Sequence, residues 1–287
     1  MAEICVGIET MNRKLYSLLF ILSSFVSSMY AETIKQGGLT FVTGADTAYV
    51  KSYSTIPDDG KLTIPSEISG SEKTYKVTAV KNSAFMTCTE IKELTIGKGI
   101  KYIEDLAFKD CVSLVKVILE QSDDVLSVGK ESFQNCPIAE IAMGRYLSNS
   151  YMTAYSTSLK KVVLSNNITR ITNRLFYDSS LEEINLSSVT EIGSESFYGC
   201  SKLIDVDIQR IVKFGYYALS NTGLKKVIIP SCTEEISDNA FSGCRSLLSL
   251  EIDGNPKLGK GVFCACINLE NVILSEKITE ITKKIIL

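Results

Sequence analysis

The sequence predicts a β-rich solenoid, in which coils stack along one axis and each coil contributes one short parallel strand. Three observations lead to this fold class. The chain repeats itself about every 22 residues, each repeat carries an aromatic residue that is often followed by a cysteine, and each repeat contains a short alternation of aliphatic and variable residues. Because no single coil can bury its own apolar side chains, stacking of neighbouring coils must stabilise the array.

The first element of each repeat is a small residue, an aromatic anchor and a cysteine three positions after the anchor, as in Ala84, Phe85 and Cys88. Successive anchors lie 21 to 25 residues apart. This regular register predicts a buried structural column rather than a ligand-binding platform. The predicted anchors are Phe85, Phe108, Phe133, Tyr155, Phe176, Phe197, Leu219, Phe241 and Phe263, and the predicted cysteine column is Cys88, Cys111, Cys136, Cys200, Cys244 and Cys266.

The second element of each repeat is a strand signal. Each anchor leads into an aliphatic residue, two variable residues, an aliphatic, one variable residue and an aliphatic, as in Ile91, Leu94 and Ile96. The final alternation is typical of a short strand with one buried face. A second aliphatic pair, such as Ile100 and Ile103, precedes the next anchor and supplies further core residues.

With these motifs, the chain resembles the BspA-like class of bacterial leucine-rich repeat surface proteins, whose signature is Ala-Phe followed by Cys-x-x-Leu. The resemblance covers roughly residues 75–282. It implies a right-handed leucine-rich-repeat superhelix with short helical turns behind the strands. It also implies a secreted or cell-surface bacterial protein that binds host or bacterial proteins as an adhesin does.

The domain organisation predicted from the sequence has three parts. Residues 1–31 have the basic, apolar and small-residue order of a secretory signal, and translation is expected to start at Met11 because acidic residues precede the basic pair. Residues 32–74 are predicted to form an amino-terminal β-hairpin cap. Residues 75–287 form the repeat array, with an incomplete last coil. No membrane span is expected after signal cleavage, because the apolar run is too short; the alternative is that this segment stays uncleaved as an anchor.

Composition excludes several classes of function. Thirty basic and 33 acidic residues give a net charge of −3, which disfavours nucleic-acid binding. The chain contains no histidine, so the usual general base and most zinc sites are excluded. Neither a nucleophile elbow nor a paired-carboxylate motif stands out, so an enzyme is not expected and a secreted hydrolase is disfavoured. No cofactor or metal site is predicted.

The cysteine column has two interpretations. Buried free thiols suit a tight interior turn, whereas disulfides between stacked neighbours would need a torsion that parallel side chains meet poorly. Free thiols are therefore favoured. Cys232 lies off the column and is the best candidate for an exposed thiol.

The outward positions of the strands are where a partner could bind, because the inward positions form the core. One outward column alternates in charge, and the next contains consecutive apolar residues. An exposed apolar strip bordered by charges is typical of a protein-binding surface, although β-branched residues also simply suit strands. The predicted partner-binding residues are Lys116, Ile118, Glu140, Ala142, Lys161, Val163, Glu183 and Asn185.

The predicted function is therefore protein–protein interaction at the cell surface, with an extracellular-matrix or bacterial surface protein as partner. The alternative is a structural or assembly component of the cell envelope with no dedicated ligand. The sequence leaves the partner's identity, the oligomeric state and the mode of surface attachment open.

Overall fold

The computed structural model describes residues 31–278 and consists of strands joined by turns. The predicted signal segment, the start at Met11 and the end of the incomplete last coil lie outside these residues. The strands are Thr33–Gln36 (β1), Leu39–Thr43 (β2), Thr47–Tyr53 (β3), Lys61–Ile64 (β4), Glu67–Ser69 (β5), Thr74–Val80 (β6), Glu93–Ile96 (β7), Tyr102–Ile103 (β8), Lys116–Leu119 (β9), Ser127–Val128 (β10), Glu140–Met143 (β11), Lys161–Leu164 (β12), Arg170–Ile171 (β13), Glu183–Ile184 (β14), Glu191–Ile192 (β15), Lys213–Phe214 (β16), Lys226–Ile229 (β17), Glu235–Ile236 (β18), Ser249–Ile252 (β19), Lys257–Leu258 (β20) and Asn271–Leu274 (β21).

The chain is a β-solenoid of about nine turns, as the sequence predicts. We number the coils 1 to 9 by their anchors, so that coil 1 ends at Phe85 and coil 9 at Phe263. The first strands of successive coils form a six-stranded parallel sheet, in the order β4-β7-β9-β11-β12-β14, and then a three-stranded sheet of β17, β19 and β21. Shorter strands form a second parallel ladder on another side of the coils, first β8 and β10 and then β13, β15, β16, β18 and β20.

The amino-terminal segment covers the start of the solenoid and also joins it. Strands β1, β2 and β3 form an antiparallel meander, and β3 then pairs in parallel with β6. Strand β4 pairs in parallel with β7, so Lys61 lies beside Glu93 in the same register as the later repeats. Because β4 already pairs as a repeat strand, a separate cap over residues 32–74 stays a proposal.

Turns form the third side of each coil. The residues two before and two after each anchor mostly have positive φ, as at Glu195 and Gly199 around Phe197. At most junctions between coils the N–H groups of the anchor and of these two residues donate to carbonyl oxygens of the next coil, an arrangement we call the turn ladder. The described residues 31–278 contain no helix, so the expected short helical turns are not confirmed. Accordingly, no helix in this part of the chain could cross a membrane.

The anchors form stacks of rings inside the solenoid. Phe85 and Phe108 stack with ring centroids 4.9 Å apart and an interplanar angle of 5°, and Phe108 and Phe133 stack at 5.2 Å. This separation matches the spacing of about 4.8 Å between paired strands, so stacking and strand pairing reinforce each other. The predicted phenylalanine anchors lie at 6% exposure or less: Phe85, Phe108, Phe133, Phe176, Phe197, Phe241 and Phe263.

The anchor expected at Tyr155 is misplaced by two residues. Tyr155 is 63% exposed, has φ 57° and donates its N–H to Tyr177 O, which is the pattern of the residue two positions after an anchor. The fully buried Thr153 occupies the anchor position, and its hydroxyl donates to Leu175 O. The dipeptide Ala154-Tyr155 matches the Ala-Phe signature in sequence, but the Tyr155 ring faces solvent because coil 4 is shortened.

The cysteine column binds one coil to the previous one. Cys111 Sγ donates to Phe85 O at 3.2 Å, and Cys200 Sγ donates to Phe176 O at 3.0 Å. A small side chain with a donor can therefore satisfy the carbonyl of the preceding anchor. Cys88, Cys111, Cys200, Cys244 and Cys266 are buried, and Cys136 is half-buried. All eight cysteines of the described residues are free thiols, and Cys232 is exposed.

The buried thiol of Cys200 should make the free energy of unfolding fall at alkaline pH. Burial raises the pKa of the Cys200 thiol to about 11, whereas an unfolded cysteine ionises near pH 8.5. Between about pH 9 and pH 11 the unfolded chain loses this proton and the folded chain keeps it, so the free energy of unfolding should fall by about 1.4 kcal/mol per pH unit for this thiol. Urea unfolding of wild type and Cys200→Ser across this range measures the contribution. The variant should show a shallower pH slope, and Cys232→Ser should not; equal slopes would contradict the assignment.

Candidate binding surface

The predicted partner-binding residues come together on the six-stranded sheet. Strands β9, β11, β12 and β14 pair in parallel with no shift, so Lys116, Glu140, Lys161 and Glu183 lie side by side in one column. Lys116 Nζ lies 3.4 Å from Glu140 Oε1, and Lys161 Nζ lies 3.5 Å from Glu183 Oε2. These partly exposed pairs contribute roughly 0–1 kcal/mol each, so they set register and solubility rather than the fold.

The neighbouring column carries the apolar residues. Ile118, Ala142 and Val163 lie side by side on the same strands. Val163 is 40% exposed, whereas Ile118 and Ala142 are half-buried. We call this column the apolar strip, and we call the adjacent charged column its charged border. Because the border charges alternate, the strip presents an apolar line with little net charge.

Asn185 ends this surface rather than extending it. Its side-chain oxygen accepts a hydrogen bond from Leu164 N at 2.7 Å, and its side-chain nitrogen donates to Leu164 O at 3.2 Å. The amide therefore replaces the strand pairing that stops after β14. Its side chain, although exposed, is already engaged by the backbone of coil 5.

The structure contains a second charged column that the sequence reading missed. On the ladder of two-residue strands, residues of opposite charge again alternate from coil to coil, and Lys257 Nζ lies 3.5 Å from Glu235 Oε1. The signal was available, because these residues directly precede the second aliphatic position of each repeat. The column is Arg170, Glu191, Lys213, Glu235 and Lys257.

Arg145 is the other residue that the sequence reading missed. It follows β11 and is fully buried, and none of the carboxylates in residues 31–278 forms an ion pair with it. Its guanidinium donates to Glu120 O at 3.0 Å, Ile100 O at 2.7 Å and Gly97 O at 2.9 Å. These carbonyls follow β7 and β9, so one side chain joins the ends of β7, β9 and β11, and the last two of these strands carry part of the strip. Burial lowers the pKa of Arg145, yet an arginine stays charged at all ordinary pH values.

The close approach of Gly144 to coil 3 makes this arrangement possible. A Cβ at Gly144 would lie 2.5 Å from both Gln121 N and Leu119 O. Only glycine lets the backbone of coil 4 come near enough for the arginine to reach across two coils.

The comparisons with known proteins agree with this architecture. Six copies of the repeat described as BspA type Leucine rich repeat region match residues 78–204 and 171–286, which is more than half of the chain. The chain belongs to the BspA-type leucine-rich repeat family. A leucine-rich repeat protein from Bacteroides ovatus ATCC 8483 is similar at 24% identity, with a TM-score of 0.54, and the match covers 86% of this chain and 69% of that one.

Two more distant structures are also similar. A leucine-rich cell surface protein from Faecalibacterium prausnitzii A2-165 is 17% identical, with a TM-score of 0.37 and coverage of 86% of this chain and 96% of that one. The leucine-rich repeat protein of T. pallidum is 22% identical, with a TM-score of 0.39 and coverage of 83% and 91%. A comparison with curated proteins found no match.

Residues 31–278 contain no group of three or more cysteine, aspartate or glutamate side chains placed to hold an ion. Family membership supports a role in protein interaction, and the surfaces described above are what this chain can present to a partner.

Arg145 should be essential for the stability of this region. Arg145→Met leaves the carbonyl oxygens of Ile100 and Glu120 without donors and removes the second donor to Gly97 O, which Ile100 N–H also contacts, so we expect a loss of roughly 3–5 kcal/mol in the free energy of unfolding. Arg145→Lys should recover only part of this loss, because an ammonium cannot reproduce the fixed fork of the guanidinium. Urea denaturation checks both variants against Arg210→Met, an exposed position that should change stability little. Similar midpoints for Arg145→Met and Arg210→Met would contradict this role.

Proposed function

We propose that the protein is secreted or surface-exposed and binds a protein partner through the apolar strip and its charged border, in the manner of an adhesin. The observation that supports this most is the outward-facing line of Ile118, Ala142 and Val163 on a rigid parallel sheet, with the first two half-buried and Val163 exposed. A rigid sheet loses little conformational entropy on binding, which favours its use as a docking surface.

The chemistry of the strip suggests the kind of partner surface it fits. The border residues Lys116, Glu140, Lys161 and Glu183 already pair with each other, so they offer no strong net field for a highly charged ligand. Apolar area at the centre with polar groups at the rim is the common arrangement of protein interfaces. The proposed partner is therefore a folded extracellular-matrix or bacterial surface protein with its own apolar patch, and no catalysis is proposed.

The secreted location rests on the signal-like first 31 residues. Membership of a family with bacterial surface relatives supports it. Free thiols are compatible with this location, because the cysteine column is buried and Cys232 alone in the described residues is exposed.

Charge placed in the strip should weaken binding without unfolding the array. Ile118→Asp combined with Val163→Asp puts two carboxylates into the centre of the proposed interface, and each should weaken partner binding by about tenfold or more. Binding is measured by surface plasmon resonance against immobilised extracellular-matrix proteins and bacterial surface proteins. Val163→Asp alone provides the milder variant, because Val163 is already 40% exposed.

The matched control is Ile273→Asp, in the same column of β21 but outside the strip, where the side chain is 60% exposed. This variant should bind as the wild type does. If the strip variants keep their affinity, the strip is not the interface. If the wild type binds none of the panel, a structural role in the envelope is favoured instead.

A further inference from the structure

The turn ladder is incomplete on both sides of coil 4: one of its three bonds, from Tyr155 N to Tyr177 O, remains at the junction with coil 5, and none forms at the junction with coil 3. At six of the eight junctions between coils 1 and 9, three N–H groups donate across to the next coil, for example Leu106 N to Lys130 O, Phe108 N to Ser132 O and Asp110 N to Gln134 O. At the junction of coils 3 and 4 the corresponding donors have no acceptor within the described residues. They are the N–H groups of Glu131, Phe133 and Asn135.

Coil length explains the interruption. Phe133 follows Leu119, the end of β9, by 14 residues, whereas Thr153 follows Met143, the end of β11, by 10 residues. The turn of coil 3 therefore extends past the turn of coil 4, and their backbones do not meet. Coil 4 also has Thr153 in place of an aromatic anchor, so the ring stack of coils 1 to 3 ends at Phe133.

A cleft of about 580 Å³ lies at this junction. Its buried lining includes Phe133 and Met152, each 6% exposed, and its outer lining includes Tyr151 and Tyr155, which are 55% and 63% exposed. Tyr155 begins a run of tyrosine rings along coils 4 to 6, with centroids 5.3 Å apart to Tyr177 and then 4.9 Å apart to Tyr198. The polar lining includes Gln134, Ser156, Thr157 and Ser158.

We propose that this cleft binds an extended, uncharged peptide segment of a partner protein, which supplies the carbonyl oxygens that coil 4 does not. The three unpaired donors recur at every second residue, and the carbonyl oxygens along one edge of an extended chain do the same. Adding a backbone to an unpaired edge is a common way of binding peptides. A segment of about five residues is long enough to meet all three donors.

The lining defines the side chains that such a segment carries. Glu131 is the one charged residue in the lining, and its carboxylate already lies 2.8 Å from Lys109 Nζ. A charged peptide therefore finds no free counter-charge in the cleft. The space beside Phe133 and Met152 accepts an aliphatic or aromatic side chain, which would continue the interrupted ring stack.

Hydrogen exchange tests the donors directly in the purified wild-type protein. In the free protein the amides of Glu131, Phe133 and Asn135 should exchange at least about tenfold faster than those of Leu106, Phe108 and Asp110. Equal protection of the two sets would overturn the proposal, because the donors would then already have partners.

Random linear peptides displayed on phage serve as the probe for the ligand. Selected peptides should slow exchange at the three amides and slow alkylation of Cys136, which lines the cleft, without affecting Cys232. Ala154→Trp fills the cleft and should weaken binding by about tenfold or more. The same position in other coils holds Tyr177 and Tyr198, so the fold should tolerate this side chain.

The matched control is Ser242→Trp, at the equivalent position of coil 8, where the turn ladder is complete. It should bind the peptides as the wild type does. Failure to select any peptide, or equal binding to both tryptophan variants, would overturn the proposal. Protection of the three amides by oligosaccharides from a glycan array, and not by peptides, would assign the cleft to carbohydrate instead.

Discussion

Hydrogen bonding between successive coils is the constraint on which the rest of this structure depends. Each coil is too small to bury its own aliphatic residues. It becomes stable only when its backbone pairs with the coils before and after it along two strand ladders and the turn ladder. The spacing imposed by that pairing, about 4.8 Å, is also the spacing at which rings such as Phe85 and Phe108 stack. Core packing and backbone pairing therefore require the same repeat length, and any change of length must be compensated elsewhere.

Coil 4 shows how such a change is compensated. It loses the three turn-ladder bonds to coil 3, and in the same coil Arg145 makes three hydrogen bonds to carbonyls of coils 2 and 3. Hydrogen bonds from a charged donor are stronger than those between neutral groups. The irregular coil is thus held by its strand ends rather than by its turn, and the apolar strip on β9, β11 and β12 keeps its register across the junction.

The regular part of the fold could be predicted from the sequence because each repeat reports the same environment. The burial of Phe197 and Cys200 is predictable because the repeats place equivalent residues in the same register. The columns that contain Lys116 and Ile118 follow from the alternation along each strand. Tyr155 and Arg145 could not be read in this way. The pattern Ala-Tyr is locally indistinguishable from an anchor, and the burial of an arginine depends on carbonyls 25 to 48 residues earlier in the chain.

The two candidate binding sites differ in the same way, because one belongs to the regular repeat and the other to an irregular coil. The apolar strip belongs to the repeat, so the sequence reveals it, but every coil of a regular array offers a similar surface and the strip alone gives limited selectivity. The cleft belongs to the one junction between coils 1 and 9 at which no turn-ladder bond forms, and it combines unpaired donors with exposed tyrosines that no other junction brings together. A partner that contacts both would be fixed in position along the solenoid, because β11 and the turn of coil 4 are parts of the same coil. In a molecule built from nearly equivalent coils, selectivity for one position requires an irregular coil, and coil 4 provides it.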